Sequence, residues 1–210
     1  MKSYDNLKPL KLGPIMCDIE GLQLDVDECE MLLHPLIGGV ILFTRNYDSP
    51  KQLIDLTEKI HGLRQPSLLI AVDHEGGRIQ RFHEGFSQLP ACGLIGAHEP
   101  IKEAQLLSKQ AGWLMATELL SVGIDFSFAP VLDVGGSISE VIGDRAFHVE
   151  PEKISQLAKA FVSGMKGAGM AAVGKHFPGH GSVIEDSHFS IPVDHRSFEN
   201  INMHDLIPFK

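Results

Sequence analysis

The sequence predicts an α/β fold of the (β/α)8-barrel type, present as its N-terminal portion of about five strand–helix units. Three observations lead there. Continuous apolar runs such as 40–43 and 68–72 take turns with longer segments of helical spacing. Strands apolar on both faces belong to parallel sheets covered by helices. Asp18, Thr44, Asp73, Asp133 and the pair Lys175-His176 each stand where a predicted strand ends, and a barrel gathers its strand ends around one site. No GxGxxG or Walker-type loop follows the first strand, which disfavours a nucleotide-binding doubly wound sheet.

The elements follow in order. The run 14–18 is apolar and ends on Asp18. Helical spacing over 25–36 meets Gly38-Gly39, a stop signal, and 40–43 reads as a buried strand. Ser49 caps a helix that opens on Pro50 and places Leu53, Leu56 and Ile60 on one face. A strand over 68–72 leads into a loop over 74–96 rich in glycine and charge. The longest helix spans 101–122 and ends at Gly123. A strand over 126–132 precedes a helix over 151–169, whose apolar face carries Ile154, Leu157, Ala158, Phe161, Val162 and Met165. A fifth strand spans 171–174, and 205–210 reads as the start of another helix. Trp113, Met115 and Met165 read as core. A closed barrel needs eight units in about 250 residues. The expectation is therefore one domain over 1–210, incomplete at its C-terminus, with an unpaired edge on its last strand.

Composition narrows the function. A net charge of −9 with scattered Lys and Arg argues against nucleic-acid binding. Cys17, Cys29 and Cys92 are an odd set without a CxxC, which argues against a disulfide framework or a structural zinc site. No apolar run is long enough to span a bilayer, and the N-terminus lacks the apolar core of a signal peptide. A cytoplasmic protein without a membrane partner is expected.

The chemistry concentrates in 175–188, which holds three histidines, a lysine and two carboxylates behind an apolar strand. Asp186 stands two residues before His188, so its carboxylate can orient the imidazole, which then both donates and accepts a proton near neutral pH. The same spacing also occurs in plain solvated loops. Lys175-His176 at a strand end suits a polar ligand, or a lysine snorkelling beside a core histidine. Asp73 is placed to accept hydroxyl bonds and Arg81 to donate to an oxygen, or both join Arg78 in a surface ion network. Arg145 follows Asp144 in a polar loop and by itself reads as one half of an exposed pair.

Together, the stretches 71–81 (Ala-Val-Asp-His-Glu-Gly-Gly-Arg-Ile-Gln-Arg), 127–134 (Ser-Phe-Ala-Pro-Val-Leu-Asp-Val), 143–147 (Gly-Asp-Arg-Ala-Phe), 175–181 (Lys-His-Phe-Pro-Gly-His-Gly) and 186–188 (Asp-Ser-His) resemble the glycoside hydrolase family 3 barrel. The resemblance is greatest to its bacterial cytoplasmic β-N-acetylglucosaminidase (β-hexosaminidase) branch, which serves peptidoglycan recycling. It implies a retaining exo-hydrolase that removes terminal β-linked N-acetylglucosamine from muropeptides through a glycosyl-enzyme intermediate. It implies no metal and no organic cofactor. The matching positions are Asp73, Arg81, Arg145, Lys175 and His176 for the sugar, His188 as acid/base and Asp186 as its partner. A histidine departs from the usual carboxylic acid/base of glycosidases. The family's nucleophile is an aspartate at the end of a later strand, which these 210 residues do not contain; the chain itself is expected to be inactive. Two rivals remain: a non-catalytic sugar-binding fragment, and a metal-dependent barrel hydrolase using His176, His180, His188 and Asp186.

Overall fold

Apolar runs with no polar face must be covered on both sides, and they form the strands of a parallel sheet. The computed structural model describes residues 11–136, 139–185 and 189–210. Along the chain come β1 (Ile15–Cys17), α1 (Val26–Leu32), β2 (Ile37–Leu42), α2 (Pro50–His61), β3 (Leu69–Val72), α3 (Cys92–Gly96), α4 (Ile101–Ser121), β4 (Phe126–Ser127), α5 (Pro151–Ala168), β5 (Ala171–Ala172) and α6 (Phe198–Met203). The strand order is the chain order, β1-β2-β3-β4-β5. Two compact units make up the chain: Met1–Asp73, Arg81–Phe86 and Glu118–Phe126 form one, and His74–Gln80, Ser87–Thr117 and Ser127–Lys210 the other. Their segments interleave along the sequence, so no single boundary divides them.

In the first unit β1, β2 and β3 pair in parallel. Val40, Leu42, Ile70, Ala71 and Val72 are fully buried. Gly38 and Gly39 lie inside β2 instead of stopping a helix. A Cβ on Gly39 would come within 2.7 Å of the Met16 side chain and 2.9 Å of the Leu69 carbonyl, so the flanking strands require glycine there. Ser49 Oγ accepts from the Gln52 amide at 3.3 Å and starts α2, which buries Leu53, Leu56 and Ile60. Asp25 and Glu28 form a capping box on α1. The Asp125 carboxylate accepts from the Ile70 amide at 2.7 Å and stands 3.1 Å from His61 Nε2.

In the second unit α4 and α5 cross on small residues. Cβ atoms on Gly112 and Gly164 would lie 2.3 Å from the Phe161 carbonyl oxygen and 2.0 Å from the Lys109 carbonyl oxygen. Met115, Ile154, Leu157, Phe161 and Met165 are buried, whereas Trp113 is 49 % exposed and not a core residue. Gly169, with φ +98°, ends α5 in the left-handed conformation. The strand predicted over 126–132 is regular only over Phe126–Ser127. Pro130 has no amide to offer a ladder, and pairing resumes at the parallel bridge between Val131 and Lys175. The loop predicted over 74–96 closes with the single turn of α3. The helix expected from 205 is instead α6, capped by Ser197, followed by a 3-10 turn at Ile207–Phe209. Among the described residues no helix is long and apolar enough to cross a membrane.

Candidate active site

Gly76 and Gly77, with φ of +98° and +56°, turn the chain back after β3. The Glu75 amide donates to the Ile79 carbonyl at 2.7 Å, and the Gly77 amide to the Leu89 carbonyl at 2.9 Å. This turn carries the Glu75 carboxylate inward, where its side chain is 2 % exposed. Arg145 grips it with both arms of its fork, Nε to Oε2 at 2.9 Å and Nη2 to Oε1 at 2.8 Å. Lys175 Nζ reaches the same Oε1 at 2.5 Å. Two cations around one carboxylate compensate a charge that burial alone would make costly. Cys92 is buried close to these groups, and burial, then the Glu75 charge, pushes its pKa up to about 12.

A second carboxylate orders the start of 175–188. Asp133, whose side chain is fully buried, accepts from the His176 amide at 3.2 Å, the His180 amide at 2.7 Å and His176 Nδ1 at 2.5 Å. The carboxylate at Nδ1 assigns the proton to that nitrogen and leaves Nε2 as an acceptor. Arg145 Nη2 stands 3.4 Å from that Nε2. The His176 and His180 rings are 6.2 Å apart.

Arg145, Lys175 and His176, three of the sequence-predicted sugar-binding residues, thus share one network in the second unit. Asp73 and Arg81 belong to the first unit and form a pair at 3.9 Å. The Arg81 guanidinium lies 5.8 Å from the Phe43 ring, and that of Arg45, which pairs with Asp18, lies 4.9 Å from it. Asp186 and His188 lie outside the described residues. The exposed pair read at 144–145 is corrected: Asp144 pairs with Arg78 at 3.4 Å, and Arg145 turns inward to Glu75. Of the four residues of the metal reading, two lie outside the described residues. Among the described residues no group of three or more His, Cys, Asp or Glu side chains is arranged to hold a metal ion.

Sequence reasoning missed Glu75 and gave Asp133 no role beyond its strand end. The signal for Glu75 was present: an acid between a strand tip and a Gly-Gly pair that folds it back.

A parallel α/β chain with paired cations and a carboxylate-held histidine beyond its strands is a candidate carbohydrate-active enzyme domain. The chain belongs to a specific family of these: residues 12–210 match the glycosyl hydrolase family 3 N terminal domain. It is 57 % identical over 202 residues to a beta-hexosaminidase of Alkalilimnicola ehrlichii, covering 95 % of this chain and 58 % of that protein. It thus spans less than two thirds of the length of that curated relative. A crystal structure of NagZ from Neisseria gonorrhoeae in complex with N-trifluoroacetyl-D-glucosamine is 46 % identical, with a TM-score of 0.93, over 97 % of this chain and 61 % of that one. A further structure of NagZ from the same organism, in complex with zinc ion, is 45 % identical with a TM-score of 0.91, over 97 % and 60 %.

Proposed function

We propose that this chain is the sugar-binding part of a retaining exo-β-N-acetylglucosaminidase that removes terminal β-linked N-acetylglucosamine from peptidoglycan-derived muropeptides in the cytoplasm. Asp73, Arg81, Arg145, Lys175 and His176 hold the sugar. His188, oriented by Asp186, protonates the leaving oxygen and then activates the water that opens a glycosyl-enzyme ester. A neutral imidazole performs the second step without adding an anion beside the ester. The observation that carries this reading is the network in which Glu75 holds Arg145 and Lys175 while Asp133 holds His176, in a chain of this family. Donors fixed in this way suit a ligand rich in hydroxyl oxygens.

Asp194 and Asp205 are both engaged by Arg196, at 2.6 and 2.7 Å, which supports reserving the nucleophile's role for another aspartate. The 210-residue chain is therefore expected to bind N-acetylglucosamine without cleaving a chromogenic N-acetylglucosaminide. Calorimetry and an absorbance assay separate the outcomes. Turnover would show that the nucleophile lies within this chain, and absence of binding would remove the reading. Lys175→Ala should weaken binding about 10- to 100-fold, the worth of a charged hydrogen bond. A chelator should leave binding unchanged; a loss would favour the metal-dependent alternative.

A further inference from the structure

Glu75 is one of the two buried carboxylates of the network, and it is not among the residues proposed to hold the sugar. Its carboxylate is 2 % exposed and its oxygens are occupied by protein donors. One oxygen, Oε1, takes both Arg145 Nη2 at 2.8 Å and Lys175 Nζ at 2.5 Å. Without an anion between them these cations would repel, and the lysine is a point charge on a flexible four-carbon stem that the carboxylate at 2.5 Å helps to direct. Arg145 in turn stands 3.4 Å from Nε2 of His176. The neighbouring Cys92 thiol, its pKa pushed up to about 12 by burial first, stays neutral and adds no second anion.

We propose that Glu75 is the positioning residue of the sugar site: it touches no sugar itself and sets the directions from which Arg145 and Lys175 meet an N-acetylamino sugar. This rests on the function proposed above. It extends to specificity, because an amino sugar presents hydroxyl and amide oxygens at fixed spacing and only cations locked at one separation match them together.

The test uses the 210-residue chain with Glu75→Gln, which removes the charge, and Glu75→Asp, which keeps the charge but withdraws it by one methylene. Calorimetry with N-acetylglucosamine reads affinity. Side-chain nitrogen NMR reads rotation of the Arg145 guanidinium, its signal assigned with Arg145→Lys. We expect a loss of affinity of about 30-fold or more for Glu75→Gln and about fivefold for Glu75→Asp, within the range of charged hydrogen bonds. The guanidinium should rotate slowly in the parent and measurably faster in Glu75→Gln, where the bonds to Val141 and His176 remain. A lower melting temperature with undiminished affinity of the folded fraction would mean a purely structural role and overturn the proposal. If Glu75→Gln does not fold, Glu75→Asp decides, and full affinity there overturns it. If the parent binds no sugar, the functional reading fails separately. The NMR arm then decides whether Glu75 orders Arg145, and free rotation in the parent would overturn that as well.

Discussion

Asp205 illustrates how a single side chain secures the segment after the site. Its carboxyl is 1 % exposed and accepts from Ser182 Oγ at 2.9 Å and from Arg196 Nη1 at 2.7 Å. Gly179, at φ +124°, leaves no room for a Cβ, which would fall 2.8 Å from that of Asp205. Burial pushes the Asp205 pKa up, but the Arg196 and Ser182 bonds outweigh it and hold the group below the usual carboxylate range. The Arg196 bond likewise lowers Asp194. Groups with depressed folded pKa values stabilise the fold above their unfolded value, about 4, and lose that contribution as pH falls through the folded value. Acid melts should therefore lose stability below about pH 4, and Arg196→Ala should flatten that slope and cost about 1–2 kcal/mol at neutral pH. An unchanged slope would contradict the pairing. Cys92 gives a second test. With its pKa pushed up to about 12, it should resist thiol reagents at pH 8 in the folded protein and react once denatured, as mapped by mass spectrometry.

The helices show which elements the sequence declares and which it hides. α2 begins at Pro50, one residue after its cap, as read from Ser49-Pro50, and α4 and α5 end within a residue of their predicted ends. Caps, proline and long apolar stripes are local signals. α3, five residues with glycine at 93 and 96, carries no periodicity; Gly96 is demanded by the Phe147 carbonyl, 1.7 Å from where a Cβ would sit, and Gly93 packs closely on the Asp144 carbonyl at 3.1 Å. Gly38 and Gly39 read as a helix stop because their real cause, close flanking backbone and side chains, is nonlocal. The same holds for the site. Lys175 and His176 are visible at a strand end, but Glu75 acquires its meaning from Arg145, 70 positions away. Nonlocal contact also sets the cost of substitution. Gly164→Ala would put a methyl 2.0 Å from the Lys109 carbonyl oxygen and should cost about 3 kcal/mol, the upper end of overpacking. Gly169→Ala meets nothing within 4 Å and should cost only about 1 kcal/mol, for its positive φ. Urea unfolding of the two variants measures the difference, and equal losses would mean that α4 and α5 do not cross as closely as described.

Charge and apolar exposure oppose each other over the whole molecule. The formal net charge of −9 favours separate chains through mutual repulsion. Between 177 and 203, however, the described residues Phe177, Ile184, Phe189, Ile191, Val193, Phe198 and Met203 are all exposed, Phe189 by 90 % and Ile191 by 86 %. A groove of about 530 Å³, lined by Leu132, Ala158, Val162, Ala172 and Pro208 together with Lys159 and Lys166, adds apolar surface in the same unit. Each buried phenylalanine or isoleucine gains about 1.5–3 kcal/mol on leaving water. Repulsion between solvent-exposed charges is cut within about 10 Å at 0.1 M salt. Apolar association should therefore win once salt is present. The 210-residue chain is expected to self-associate at micromolar concentration, more strongly as salt is raised from low to physiological levels, and to bind a hydrophobic dye. The double substitution Phe189→Asp and Phe198→Asp should reduce both effects while leaving the melting temperature nearly unchanged, since neither side chain is in the core. Light scattering across a salt series measures the association. A chain that stays monomeric at all salt concentrations and binds no dye would show that this apolar surface is covered in solution.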